Sequence, residues 1–309
     1  MDQTLAPLAA PIPARVSSTD DPAELLRFAI DVHGRGAAAL ATLVEIRGGA
    51  ARTLGSHVIV TADGRFCGYV SGGCVEAAVA AEALVAMKEG RDRVVKLGDG
   101  SPFFDIVLPC GGGISVAIHV LKNAGALQHV LDRLDRRQPA ALAYSPERQT
   151  LEPVDPPHRA CWRERDFVGV YRPRTRLVLS GQTIEAQTVA RLAAVAGYDV
   201  VNCEQGEEGR AAAGSIDPFT AVVLFHHDLD AEAAILKTAL RSPAFYIGAL
   251  GSTRTHRRRV ERLAALAFGR DEIDRIKAPI GMFGPTRDAT SLALSVLADV
   301  AAARLVAYA

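Results

Sequence analysis

Cys74 is the residue of this sequence best placed for chemistry. It follows Gly72 and Gly73, where an apolar strand from Phe66 to Val70 gives way to a predicted helix from Val75 to Met87. Backbone N–H groups at a helix start lack partners within the helix and carry partial positive charge, so they favour the thiolate over the thiol. The thiolate is the nucleophilic and metal-binding form of cysteine. We therefore interpret this turn as a candidate site for sulfur or soft-metal chemistry.

Cys110 lies on a second turn of the same kind. It follows a short apolar run from Asp105 to Leu108 and precedes three glycines at 111 to 113. Free cysteine is also among the most buried residue types, so a structural role for either thiol stays open. The chain has no C-x-x-C or H-E-x-x-H motif and its five cysteines are scattered, so we do not expect a structural zinc site.

A glycine and hydroxyl turn late in the chain is a candidate phosphate site. Gly251 and Ser252 follow an apolar strand from Phe245 to Leu250 and open a predicted helix that carries Arg254. Free N–H groups at a helix start bind phosphate, and arginine adds paired hydrogen bonds. We expect Gly251, Ser252 and Arg254 to contact a phosphate or pyrophosphate. The other arginines of this helix, at 257, 258, 259 and 262, are expected to face solvent or a partner.

The segment from Gly181 to Ala186 occupies the place of a dinucleotide-binding turn. It follows a predicted strand and opens a helix, but Thr183 stands where the G-x-G-x-x-G pattern has its second glycine. Glu204, at the end of the next strand, matches the acidic residue that binds a ribose hydroxyl. The pattern indicates the fold more strongly than the cofactor, and NAD(P) binding at Gly181 and Glu204 stays open.

His226 and His227 follow a strand from Ala221 to Phe225, at the edge where open α/β sheets bind ligands. His226 is therefore a candidate general base or ligand. In the alternative interpretation, Asp228 or Asp230 only caps the next helix.

An α/β framework must position these residues. Asp21 and Pro22 start a first amphipathic helix, strand-like runs follow it, and Ala62-Asp63-Gly64 forms a hairpin turn. In the last part of the chain strands and helices alternate, which predicts a doubly wound parallel sheet. The fold class is α/β, and the predicted parts are a loose tail over 1–20, an α/β (α+β) cysteine-bearing domain over 21–122, a connector over 123–173 that completes the first domain's sheet, and a Rossmann-like domain over 174–309.

Length and composition fit a soluble chain of two domains. It has 309 residues, no formal net charge and 49% hydrophobic residues, so charge gives no reason to expect nucleic acid or a membrane surface as a partner. We expect no window as apolar as a membrane span of about 18 residues. The first residues lack the features of a signal peptide, so we expect a cytoplasmic protein with reduced thiols. A homodimer is the default assembly because such dimers are the commonest oligomers.

Taken together, these segments resemble the XdhC/CoxI family, the maturation factors of xanthine dehydrogenase and carbon monoxide dehydrogenase type molybdoenzymes. The resemblance covers most of the chain. It rests on Arg52-Thr53-Leu54-Gly55, Thr61-Ala62-Asp63-Gly64, Ser71-Gly72-Gly73-Cys74-Val75-Glu76, Leu108-Pro109-Cys110-Gly111-Gly112, Tyr246-Ile247-Gly248, Leu250-Gly251-Ser252 and Ala278-Pro279-Ile280-Gly281.

The resemblance implies a chaperone, an accessory factor rather than an enzyme. Such a protein binds the molybdenum cofactor (molybdopterin), shields it while a cysteine desulfurase exchanges an oxo ligand for sulfur, and delivers it to a client molybdoenzyme. Cys74 is the first candidate for contact with molybdenum or its sulfur, and Cys110 is the second. An NAD(P)-binding oxidoreductase and a ligand-free assembly scaffold are the alternatives. The implied cofactor-binding residues are Arg52, Gly55, Ser71, Gly72, Gly73, Cys74, Glu76, Cys110, Gly111, Gly112, Gly251, Ser252 and Arg254.

Overall fold

The computed structural model describes residues 11–101, 111–203 and 216–308. The chain divides into two compact units, Met1–Arg172 and Pro173–Ala309. In the first unit the described elements are β1 (Ala14–Ser17), α1 (Pro22–His33), β2 (Ala38–Arg47), β3 (His57–Thr61), β4 (Arg65–Gly68), α2 (Glu76–Glu89), β5 (Arg93–Gly98), β6 (Gly113–Val120), α3 (Gly125–Asp135), β7 (Ala140–Ser145), β8 (Thr150–Val154), β9 (Cys161–Arg163) and β10 (Asp166–Tyr171).

A six-stranded sheet in the order β1-β4-β3-β2-β6-β5 forms the centre of the first unit. Its strands pair antiparallel except for β1, which lies parallel to β4. The central strand β2 is apolar on both faces because both are covered. Ala39, Ala41 and Leu43 pack with α2, whereas Ala38 and Leu40 pack with α1 and α3. The predicted cap of α1 is confirmed, since the Asp21 side chain accepts the Glu24 N–H at 2.9 Å.

The segment after α3 does not complete this sheet. It forms a separate four-stranded antiparallel sheet in the order β8-β7-β10-β9. Prolines and arginines interrupt the segment and made it resemble a connector. Pro153 nevertheless lies in β8, an edge strand, where proline is tolerated because one row of N–H groups needs no partner. The apolar run from Asp105 to Leu108 that precedes Cys110 lies outside the described residues.

The second unit is a parallel, doubly wound sheet, as predicted. Its described elements are β11 (Arg176–Ser180), α4 (Ile184–Val195), β12 (Asp199–Asn202), β13 (Thr220–Leu224), α5 (Leu229–Leu240), β14 (Tyr246–Ala249), α6 (Thr253–Ala265), α7 (Arg270–Ile273), β15 (Ile276–Lys277) and α8 (Ala289–Ala307). The strand order is β12-β11-β13-β14-β15, with every neighbouring pair parallel. Helices α4 and α8 cover one face and α5 and α6 the other, which makes the unit Rossmann-like.

Helix α8 corrects one expectation. By length and composition it is apolar enough to cross a membrane, although no such window was expected from the sequence. The core helix of a globular domain has the same composition. Val296 and Val300 are buried against the sheet, and the Asp299 carboxylate accepts the Tyr246 hydroxyl at 2.8 Å. These contacts are those of a helix packed on its sheet.

Candidate functional site

The turn between β4 and α2 is organised around the Glu76 carboxylate. Glu76 is fully buried, and its Oε1 accepts the backbone N–H groups of Val70, Ser71 and Gly72 at 3.0, 2.8 and 3.1 Å. The Ser71 hydroxyl donates to the same carboxylate. Burial alone would raise the pKa of Glu76, but these donors outweigh it and hold the pKa below its usual value. A fixed internal anion therefore shapes the turn.

This arrangement changes the electrostatic argument for Cys74. The sequence suggested that N–H groups of this turn favour a Cys74 thiolate, but several of them donate to Glu76 instead. Cys74 itself is exposed, and the backbone before it is left-handed, with φ of 106° at Gly72 and 122° at Gly73. Side chains rarely adopt these angles, which accounts for the glycine pair. The result is an accessible thiol on a turn that is hydrogen-bonded to the Glu76 carboxylate.

The loop between β2 and β3 contacts both glycine turns of the first unit. A Cβ added at Gly72 would lie 3.5 Å from the Cβ of Ala51, and one added at Gly48 would lie 3.6 Å from the Cα of Gly112. Gly112 also packs on the backbone of Gly49 so closely that no side chain fits there. The structure thus places Gly72 and Gly112 against one loop, whereas a Cβ added at Gly111 would meet nothing within 4 Å. Cys110 lies outside the described residues.

Next to this loop is a cleft of about 310 Å³. The two predicted residues Arg52 and Gly55 line it, together with Thr53, Ser56 and Tyr69. The Arg52 guanidinium lies over the Tyr69 ring at 5.0 Å, and it also pairs with Asp20 at 2.6 Å. Arginine over an aromatic face keeps its hydrogen-bonding edge available to an anion, and here the Asp20 carboxylate occupies that edge. The sequence did not single out Tyr69 or Asp20, because both come together with Arg52 only through the fold.

Buried His57 also lines the cleft and was not anticipated. Its Nδ1 lies 3.0 Å from the Thr42 hydroxyl, and its Nε2 lies 2.9 Å from the Tyr171 hydroxyl. Burial lowers the pKa of His57 to about 4, so the ring is neutral near pH 7. The one sign of this residue in the sequence is a histidine at the start of an apolar strand. That pattern is equally typical of a core histidine whose hydrogen bonds are made within the protein.

In the second unit the carboxyl ends of β11 and β13 meet at the point where the strand order reverses. The Ser180 hydroxyl lies 2.7 Å from His226 Nε2 there. Gly181 follows with φ of 121°, and a Cβ at this position would lie 2.7 Å from the Phe225 carbonyl oxygen. The capping interpretation of Asp228 is confirmed, since its side chain accepts the Asp230 N–H.

Thr183 has a local structural task in this turn. Its hydroxyl accepts the Ala186 N–H at 3.3 Å and caps α4. A side chain thus occupies the place where the dinucleotide pattern requires none. The predicted ribose-binding residue Glu204 lies outside the described residues.

The predicted phosphate turn of the second unit has the expected backbone. Gly251 has φ of 130°, Ser252 caps α6 by accepting the Thr255 N–H at 3.3 Å, and Arg254 is exposed in the first turn. The sequence pattern predicts that Arg259 of this helix faces solvent or a partner, and this prediction is wrong. Arg259 is only 2% exposed, pairs with buried Glu232 and donates to the Leu250 carbonyl at 3.0 Å.

Among the residues that the structure describes, no group of three or more His, Cys, Asp or Glu side chains could hold a metal ion.

Comparisons with known proteins agree on one family for both units of the chain. Residues 32–98 match the model of the XdhC and CoxI family, and residues 177–300 match that of the XdhC Rossmann domain. The chain is 49% identical over 295 residues to the molybdenum cofactor insertion chaperone PaoD of Escherichia coli (strain K12), covering 95% of this chain and 92% of PaoD. It is 24% identical over 283 residues to the uncharacterized protein YqeB of the same organism, covering 85% of this chain and 42% of YqeB.

A crystal structure described as a xanthine dehydrogenase from Bacillus halodurans has the same fold. Its TM-score is 0.70 at 21% sequence identity, with 93% of this chain and 96% of that chain covered.

Proposed function

The chain belongs to the XdhC and CoxI family, and from this premise we propose that it is a chaperone that binds the molybdenum cofactor and inserts it into a client molybdoenzyme. The near full-length similarity to an insertion chaperone supports the role. The observation that carries the proposal for the site is the exposed Cys74 thiol on a turn fixed by Glu76. A thiolate is a ligand suited to molybdenum or its sulfur.

In this proposal the first unit holds the metal end of the cofactor. Cys74 contacts molybdenum or its terminal sulfur, and Cys110 is the second thiol. The open space beside Gly73 and Gly111 leaves room for a ligand close to the backbone, and Gly72 and Gly112 shape the two turns. Arg52, Gly55, Ser71 and Glu76 shape the surroundings. In the second unit Gly251, Ser252 and Arg254 are candidates for binding a phosphate or pyrophosphate group.

The proposed client is of the xanthine dehydrogenase or carbon monoxide dehydrogenase type. A cysteine desulfurase supplies the sulfur while the chaperone shields the cofactor, in the cytoplasm. The chaperone acts as a homodimer in this proposal. We do not assign it a catalytic step of its own.

An anaerobic titration of the reduced, purified protein with molybdenum cofactor, followed by absorbance, tests the proposal. We expect saturable binding that weakens at least tenfold in Cys74→Ala, because a charge-assisted contact is lost. Cys161→Ala is the matched control, since that thiol is partly buried outside the turn. Unchanged binding in Cys74→Ala and Cys110→Ala would contradict the assignment of the thiols.

An NAD(P)-binding oxidoreductase is the second candidate, and the doubly wound parallel sheet with Gly181 after its first strand favours it. Titration with NAD(P)H in parallel separates the two functions. Saturable dinucleotide binding without cofactor binding would favour the oxidoreductase. Stoichiometric pterin in the purified protein would exclude the third candidate, a ligand-free scaffold.

A further inference from the structure

The cleft of the first unit contains an arginine whose partner is easily replaced. Arg52 pairs with Asp20 at 2.6 Å, and the exposed fraction of the side chain is 31% for Arg52 and 64% for Asp20. An exposed ion pair of this kind contributes little to stability, because water screens the charges and both side chains lose freedom. Asp20 therefore occupies the hydrogen-bonding edge of Arg52 without holding it strongly.

The guanidinium of Arg52 has a second support that does not depend on Asp20. It lies over the Tyr69 ring at 5.0 Å, and the guanidinium of Arg15 lies over the same ring at 4.2 Å. Arg15 is itself fixed, since it donates to the Gly68 carbonyl at 2.9 Å and lies over the Phe66 ring. Two cations held on one ring create a local positive field, which attracts anions.

We propose that this cleft binds a phosphate or pyrophosphate group through Arg52, and that the Asp20 carboxylate is a resident anion which the ligand displaces. A phosphate group offers more charge and more acceptor oxygens than a carboxylate, so it competes well for the same guanidinium edge. The hydroxyls of Thr53 and Ser56 line the same cleft and can donate to the additional oxygens.

The inference deepens the proposed function and rests on it for the identity of the natural ligand. Ala51 joins the cleft to the Cys74 turn, because it lines the cleft and would lie 3.5 Å from a Cβ at Gly72. Arg52 is therefore the candidate for the phosphate group of a cofactor whose metal end lies at Cys74. The sequence pattern alone had favoured Gly251 and Ser252 for that phosphate.

Calorimetric titration of the full-length protein with sodium pyrophosphate tests the inference. We expect Arg52→Gln to weaken binding at least tenfold, as the loss of a charge-assisted contact requires, and Arg52→Lys to restore it only in part because lysine lacks the planar fork. Asp20→Asn should strengthen binding several-fold, because the competing carboxylate is gone. Arg65→Gln is the matched control, since Arg65 forms an exposed pair with Asp63 outside the cleft.

Two outcomes would overturn the inference. One is pyrophosphate binding that Arg254→Gln abolishes and Arg52→Gln leaves intact. The other is an affinity that Asp20→Asn does not raise, in a variant whose circular dichroism spectrum shows a folded protein.

Pyrophosphate binding through Arg52 in a protein that binds no molybdenum cofactor would support the inference and contradict the proposed function. Cofactor binding that needs Cys74 but is indifferent to Arg52 would contradict only the inference.

Discussion

The Glu76 carboxylate accepts the backbone N–H of Ser71 at 2.8 Å, and this contact joins the first turn of α2 to the glycine turn before it. The same carboxylate also binds the N–H groups of Val70 and Gly72. Since Glu76 and Val70 are both buried, removal of the carboxylate leaves the Val70 N–H without a partner and without water, and the Ser71 and Gly72 N–H groups lose the acceptor that holds the turn.

We therefore expect Glu76→Ala to lower the free energy of unfolding by about 3 kcal/mol, as the loss of a buried network implies. Urea denaturation followed by circular dichroism measures the change. Glu89→Ala is the control, because Glu89 forms only an exposed pair with Arg93 and should cost less than about 1 kcal/mol. Equal losses in the two variants would contradict the role given to Glu76.

His57 makes stability depend on pH in a defined window. The unfolded chain takes up a proton at this residue near pH 6.5, whereas the native state does so only near pH 4. Between these values the unfolded state binds more protons, so the free energy of unfolding falls as the pH is lowered. The expected loss is about 3 kcal/mol over the whole window.

Urea denaturation at several pH values from 7 to 4 checks this prediction. His57→Gln should show a flatter dependence between pH 6.5 and 4, whatever its stability at pH 7. His129→Gln should keep the slope of the parent protein, because His129 is exposed on α3. A parent and a His57→Gln variant with parallel pH profiles would refute the assignment.

The thiols should differ in reactivity in the folded protein. Cys74 is exposed, whereas Cys67 is 1% exposed and burial raises its pKa to about 12. Only thiolates react rapidly with iodoacetamide. We expect peptide mass spectrometry to find Cys74 alkylated and Cys67 untouched in native protein, with both alkylated in urea. Bound molybdenum cofactor should protect Cys74 if it contacts this thiol.

We expect Arg259 to stabilise the folded protein, because its side chain forms a buried ion pair. Arg259→Ala leaves the buried Glu232 carboxylate without its partner, so we expect a loss of about 3 to 5 kcal/mol in the free energy of unfolding. Arg258→Ala, on the exposed side of the same helix, should change it by less than about 0.5 kcal/mol. Denaturation curves that shift equally in both variants would show that the ion pair carries no structural role.

The elements of this protein follow largely from local sequence signals. Asp21 and Pro22 start α1, Ser252 starts α6, and the alternation of strands and helices after Arg174 predicts the parallel sheet. Each signal acts within a few residues, because capping and strand patterns are local. The separate sheet formed by β7 to β10 escaped prediction, since Pro153 breaks the pattern expected of a strand and only its edge position permits it.

The candidate site was predictable in part. Glycines before Cys74 marked the turn, and a glutamate in the first helical turn was a usable signal for Glu76. The choice of Arg259 as the buried arginine depends on Glu232, which lies 27 residues away, so the dense run of arginines could not reveal it. The meeting of Asp20, Arg52 and Tyr69 likewise depends on strand pairing in space.

Strand β1 has a consequence for the behaviour of the protein at high concentration. It is a four-residue edge strand that carries Arg15 and covers the outer side of β4. Short, charged edge strands hinder intermolecular strand pairing, whereas an uncovered strand offers a template for aggregation. Proteolytic trimming between Ser17 and Pro22 could release this cover. Aggregation of the stored protein would then indicate that β1 no longer covers β4.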